Sequence, residues 1–450
     1  MPTPENDPAA PQPPQSAAAS GLPGEPLVPA LRQVKAEAVN LKAGEAKGQE
    51  DEMVIVLQDP EHLAPQPAVL SPAAYALVQL FDGNRTAQEI ADLFEQMYGQ
   101  EVKTDQVLSL QRELDAALYL SSPHFDKTVR EALTGYLKAK VRPASHAGTG
   151  YPEDPDELKK FVESFFGAKD APGALPAGTL PPASSDRVKA LMLPHIDFNA
   201  GMAAYAHGYK ALLEASQADL FVILGVAHQA MSEAPFLVSK KDLSTPLRQV
   251  ATERALAGRL QKAAGVEESL AEFAHKSEHS IEYQAVLLAA LLGERAKRDF
   301  EVLPILCGSV EGFIESDASP LNDDAFKRFV EALGEELERS KRRVCVLASV
   351  DLSHIGPKFG HSTSIDEKLL KPVARADRQM LASIEKLDPA AFFFEIARTQ
   401  NSRNVDAVMA MLALLSLGKD IFKQASLLHY DQFLEQPTKS AVTFASMSFE

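Results

Sequence analysis

The sequence predicts an α/β protein with a central mixed or largely parallel sheet flanked by helices. From Arg187 onward, six strand-like apolar runs alternate with helical stretches, the arrangement of a sheet whose crossovers are helices. The runs are apolar at nearly every position, as strands are when both faces are covered. The stretches between them are apolar at helical spacing and long enough to cross back over a sheet.

Taken in order, residues 1–50 open with "MPTPENDPAAPQPPQSAAASGLPGEPLVP". Too little apolar surface is available there to offset the entropy of ordering, so the stretch reads as a disordered tail. Residues 51–125 read as a small helical unit of winged-helix type. "MVIVLQDPEHL" is a short strand and turn, and "SPAAYALVQLF" a helix with Ser71 as N-cap and Pro72 at its first position,. After a turn at Asp82-Gly83, Thr86 and Glu89 form a capping box for a second, amphipathic helix, and "TDQVLSLQRELDAALYL" is a third,.

Residues 126–186 connect to the main domain, which starts at about Val141. They contain one capped amphipathic helix, "PEDPDELKKFVESFFG", and a Pro/Gly/Ser loop, "APGALPAGTLPPASSD",. Residues 187–450 form the α/β domain. Its strands are "VKALMLP", "DLFVILG", "FEVLPILCG", "RVCVLASV", "FKQASLLHY" and "SAVTFASMSF". Between them, helices run from "GMAAYAHGYKALLEA" to "DAVMAMLALLSLG".

Composition narrows the function classes. A net charge of -17 disfavours a nucleic-acid groove or an anionic membrane surface,. No apolar run reaches the roughly 18 residues of a membrane span, and no secretory signal is visible, so the expected location is cytoplasmic. The two cysteines, Cys307 and Cys345, sit in apolar runs and read as buried small hydrophobes,.

Ligands of open α/β sheets bind beyond the carboxyl ends of the strands. Three of the four candidate strands tested there end in a histidine: His195 with Asp197, His228, and His354 with Asp351. Three of eleven histidines at equivalent edges point to one shared pocket. In "SEHSIEYQ", Ser280 reads as a helix cap, Glu278 and Glu282 as complements to the helix dipole, and His279 as a fourth candidate for the pocket. Histidines with a carboxylate suit a redox-active first-row metal or general-base chemistry. There is no Gly-rich phosphate loop and no G-x-S-x-G, which weakens nucleotide-binding and α/β-hydrolase readings.

Two resemblances sharpen this. "LSPAAYALVQLFDGNRTAQEIADLF" resembles the PqqD-like domains, which bind peptides. "ASHAGTGYPEDPDELKKFVESFF", "LMLPHIDFNAGMAAYAHGYKAL", "FVILGVAHQ", "SEHSIEYQAVLL", "VLPILCGSV", "ASVDLSHIG" and "SAVTFASMSF", in that order, resemble the MEMO family. That family includes the bacterial members called AmmeMemoRadiSam system protein B. The resemblance implies a fold similar to the LigB-type class III extradiol dioxygenases, with iron or copper as cofactor. It maps metal ligands onto His195 and His228.

The family's third ligand, a cysteine, falls at Asn401, with Arg403 keeping a basic position nearby. Asparagine is a poor substitute for a thiolate, so either the metal site is retired or Asp351, His354, His279 or Asp197 completes it. On a metal-dependent reading His354 is third ligand or acid/base with Asp351 orienting it, His279 supports the ligands or contacts substrate, and Glu282 is a further pocket residue. The first expectation is a metal-dependent oxidoreductase acting on a small molecule. The second is a non-catalytic adaptor for a peptide or protein, a radical SAM protein of the same system among the candidates. A metal-dependent hydrolase is the third.

Overall fold

The computed structural model describes residues 26–32, 34–41, 52–59, 64, 66–228 and 234–450. The chain divides into two compact units, with the division between Gly135 and Tyr136.

The first unit joins a three-stranded antiparallel sheet to helices. Strand β1 (Lys35–Leu41) pairs with β2 (Glu52–Gln58), which pairs with β3 (Ala68–Leu70). Helices α1 (Pro72–Val78), α2 (Ala87–Tyr98) and α3 (Thr104–Ala116) follow, and α4 (Pro123–Lys138) runs through the division. The predicted caps are present. Ser71 accepts from the Ala74 N–H, Thr86 and Glu89 form the reciprocal box, and Gly99 closes α2 at φ 66°, where a side chain would be strained,.

The predicted short strand is β2, and its partner β1 comes from the stretch read as a disordered tail. The described part of that stretch is anchored by buried Val28 and by Arg32, 3.1 Å from the buried Asp59 carboxylate. Its polar composition hid this, because long-range pairing satisfies the β1 backbone without a long apolar run. Residues 1–25 of the predicted tail lie outside the described residues.

The second unit is built on an eight-stranded mixed sheet. It contains β5 (Ala190–Leu193), β6 (Leu220–Val226), β7 (Phe236–Val238), β10 (Glu301–Cys307), β11 (Val344–Ser349), β12 (His354–Ile355), β13 (Ala425–Glu435) and β14 (Ser440–Phe449). The order is β12-β14-β5-β11-β6-β10-β7, with β13 paired to β14. Strands β5, β11, β6 and β10 are mutually parallel, and β7 and β14 run antiparallel to their neighbours. A small separate sheet joins β4 (Val141–Arg142), β8 (Asp242–Ser244) and β9 (Gln249–Val250).

The continuous apolar runs are explained by helices on both faces. Leu220, Val222 and Leu224 of β6 enter one core and Phe221 and Ile223 the other, and β5, β10 and β11 divide in the same way,. The first core is closed by α7 (Arg254–Ala264), α10 (Glu311–Glu315), α11 (Asp324–Ser340), α12 (Glu367–Glu385), α13 (Pro389–Ala397) and α14 (Val408–Leu417). The second is closed by α5 (Pro155–Phe165), α6 (Phe198–Ala215), α8 (Glu268–His275) and α9 (His279–Leu288), which runs on into a π-helical segment, Ala289–Arg295.

Cys307 and Cys345 lie buried in opposite cores, and burial pushes both thiols up, Cys345 to about 12. They are the small hydrophobes the sequence predicts. Among the described residues no helix is long and apolar enough to cross a membrane.

Candidate metal centre

The carboxyl ends of β5, β6 and β11 deliver His195, His228 and Asp351 to one crevice, and the first turn of α9 delivers His279. His195, His228 and His279 each place one ring nitrogen so that all three lie within 4.8 Å of one another. The rings of His195 stand edge-on to His228 and His279 at 5.1 Å, and His228 stacks on His279 at 4.9 Å.

The ring nitrogens facing away from the cluster are held. His195 Nδ1–H donates to the Ser349 carbonyl at 2.9 Å, which leaves Nε2 for the crevice,. Ser349 is held in turn by Gln284, whose amide donates to Ser349 Oγ and to the Pro194 carbonyl at 2.8 Å. His228 Nδ1–H donates to Glu278 at 3.0 Å. Glu278 also accepts from the His228 and Ser280 backbone N–H groups, so one buried carboxylate caps α9 and orients a histidine. A carboxylate or carbonyl behind an imidazole is the arrangement that fixes the tautomer of a metal ligand.

A residue absent from the sequence-based set completes the cluster. Asp406, just before α14, places Oδ2 3.1 Å from His195 Nε2 and 3.9 Å from both His228 Nε2 and His354 Nε2. Its other oxygen accepts from the Asp351 N–H at 3.0 Å. Oδ2 is buried and completes no hydrogen bond, a costly state unless positive charge occupies the space before it.

Electrostatics point the same way. Burial alone would lower the His195 pKa, yet Asp351 and Asp406 outweigh it and hold it at about 9. Burial likewise opposes His228, and Glu278 with Asp406 raises it to about 10. His279 goes the other way, to about 3, through burial and then the charge on His195. Although burial opposes ionisation of Asp406 and Glu278, their imidazole partners hold both well below the usual carboxylate range. Burial raises Asp351. The cluster thus draws in about two positive charges, as protons on His195 and His228 or as a divalent ion replacing them. Imidazole and carboxylate donors without a thiolate fit iron(II), and they also suit other borderline divalent ions.

A sequence profile of the Memo-like protein family matches residues 142–448. The chain belongs to this family. A MEMO1 family protein of Aquifex aeolicus (strain VF5) is 30% identical over 397 residues, 88% of this chain and 95% of that protein. This match is longer than the Memo-like region and so extends into the first unit. A MEMO1 family protein of Thermococcus onnurineus (strain NA1) is 26% identical over 314 residues, 69% of this chain and 99% of the relative. Another, of Methanopyrus kandleri, is 30% identical over 240 residues, 53% of this chain and 77% of the relative.

Within this Memo-like frame the remaining sequence-predicted residues take definite places. Asp197 is exposed and caps α6 through the Asn199 N–H at 2.8 Å. Asn401 lies at φ 46° and spends its side-chain amide on the Val405 backbone, accepting from its N–H and donating to its carbonyl. Arg403 turns away, donating to Ser353 Oγ at 2.9 Å and lying 3.8 Å from the buried Asp377.

Glu282 faces the segment before α5. It pairs with Arg142 at 2.8 Å and accepts from the backbone N–H groups of Ser145 and His146 and from the Tyr151 hydroxyl. Asp351 hydrogen-bonds the backbone of His195 at 3.1 Å, where His354 was the expected partner. His354 Nδ1 instead lies 3.2 Å from the Asn404 carbonyl. Ser280 is not the α9 cap; its hydroxyl accepts from the Val226 N–H at 3.0 Å, and Glu278 takes the capping role.

The sequence marks Asp406 only by its place. It is an acid five residues beyond Asn401, the position to which the resemblance assigns the family's cysteine.

Proposed function

We propose that this chain is a metal-dependent oxidoreductase of the Memo-like family, with an extradiol-dioxygenase-like pocket and a mononuclear iron centre held by His195, His228 and Asp406. The observation that carries this reading is the buried, unbonded Asp406 Oδ2 facing two imidazole nitrogens whose ring partners are already fixed. Two histidines and one carboxylate are a common donor set for non-haem iron(II). Copper is the alternative ion; its cuprous form favours softer donors than these. When bound, the ion would supply one-electron redox chemistry and open positions for substrate.

The chain's own groups do the rest. Ser349 and Glu278 hold His195 and His228 in ligating tautomers. His279 packs against both rings and restricts their rotation. His354 borders a cavity of about 530 Å³ beside Asp406. With Nδ1 set between the Leu352 and Asn404 carbonyls, it takes or gives a proton at Nε2,. Val405, Met409 and Phe359 give the cavity an apolar wall that limits water.

The test is metal analysis of full-length protein prepared anaerobically without chelator. One equivalent of iron is expected, with most of it lost in His195→Ala. No stoichiometric metal in the wild type refutes the reading. A second reading, a peptide- or protein-binding adaptor with a retired metal site, draws on Asn401 in place of the family cysteine and on the PqqD-like resemblance of the first unit. It predicts unchanged function in a His195/His228 double variant.

A further inference from the structure

The cavity beside the metal centre is one-sided in charge. Its polar lining includes His228, His354, Asp406 and Glu311, together with the neutral Ser309 and Asn404. Among the described residues no lysine or arginine lines it. Nearby cations are committed elsewhere. Arg403 is turned to Ser353 and Asp377, Lys358 reaches Glu435 at 3.2 Å, and Arg142 is paired with Glu282.

One positive feature does border the cavity, the N-terminus of α14 at Val408 and Met409. Asp406 already stands at that terminus and complements its dipole. The two charges of a divalent ion are matched by Asp406 and Glu278, which leaves Glu311 in excess at the exposed rim. An anionic group on a ligand would therefore find no lysine or arginine among the described lining residues, and a cationic one would find Glu311. The remaining wall, with Val226, Val310 and Met409, suits an apolar body,.

We propose that this cavity selects small, partly apolar molecules that are neutral or positively charged and discriminates against carboxylates and phosphates. The inference deepens the metal-centre reading and rests on it for the place where chemistry occurs.

Tyramine, 4-ethylphenol and 4-hydroxyphenylacetate share a phenol end and differ in charge. Their binding is measured by calorimetry on the metal-loaded full chain under anaerobic conditions. Tyramine is expected to bind at least about tenfold tighter than 4-hydroxyphenylacetate, with 4-ethylphenol between them. Glu311→Lys, an exposed change, should narrow or reverse that order and leave 4-ethylphenol unmoved. A carboxylate that binds as tightly as the amine overturns the proposal, as does an unchanged order in Glu311→Lys. Metal content is measured on the same samples. A chain without metal refutes the centre, while the order of the probes on that chain still decides the cavity.

Discussion

The most informative single change is Asp406→Asn. It keeps the side-chain shape and leaves an oxygen to accept from the Asp351 N–H, while removing the charge. In the structure Oδ2 stands 3.1 Å from His195 Nε2 and 3.9 Å from His228 Nε2. A unit positive charge at those distances is attracted by roughly 5 and roughly 4 kcal/mol at an effective dielectric of about 20. Solvent reaching the partly exposed His228 and the remaining amide dipole reduce this, so a loss of about 3 kcal/mol is a fair expectation, or metal affinity weaker by roughly a hundredfold.

Affinity is measured by anaerobic competition of iron(II) against a calibrated chelator. Asp197→Ala serves as the control. Its carboxylate only caps α6, so affinity should hold while stability falls by about 1 kcal/mol. An Asp406→Asn affinity within threefold of the wild type, with the fold intact, would sink the assignment of Asp406 as a ligand.

Other expectations follow from the same geometry. Glu278→Gln should weaken metal binding by about 10- to 100-fold, because His228 loses the partner that fixes its tautomer; unchanged affinity in the chelator assay would remove Glu278 from that role. In metal-free protein His195 and His228 are raised from 6.5 to about 9 and about 10. Their contribution to stability is therefore fully present below pH 6.5 and is lost as pH rises through 9 to 10. Thermal unfolding should show this alkaline loss in the metal-free chain and a smaller one in the loaded chain, and a flat metal-free profile would contradict it.

Glu282→Ala strands Arg142, whose side chain is 1% exposed, and should cost about 3–5 kcal/mol in a denaturant titration; a loss below about 1 kcal/mol would show that water or another group takes over. Gly208→Ala forces a Cβ into the Leu193 side chain on β5 and should destabilise by about 1–3 kcal/mol, read by the same titration.

The sequence by itself determined the α/β class, the six main strands of the second unit in their order, and the Ser71 and Thr86 caps of the first. These depend on local pattern: runs of period-2 side chains covered on both faces, helical spacing, and Ser71 or Thr86 placed before a helix. It also marked His195, His228 and His354, because apolar strands ending in imidazoles are visible in one dimension. The tertiary structure alone decided which groups meet. Asp406 reads in the chain as an ordinary acid at a helix start, and only the approach of the 401–406 loop to the ends of β5 and β6 brings its oxygen to His195. The same loop spends Asn401 on its own backbone and turns Arg403 toward Asp377.

Strand β1 was hidden for the same reason, since its partner β2 lies further along the chain and supplies the hydrogen bonds its composition does not advertise. Glu278 and Glu282, four residues apart on one helix, look alike in the sequence. One faces His228 and the other Arg142 because different segments are packed against α9, and that packing is a property of the whole fold.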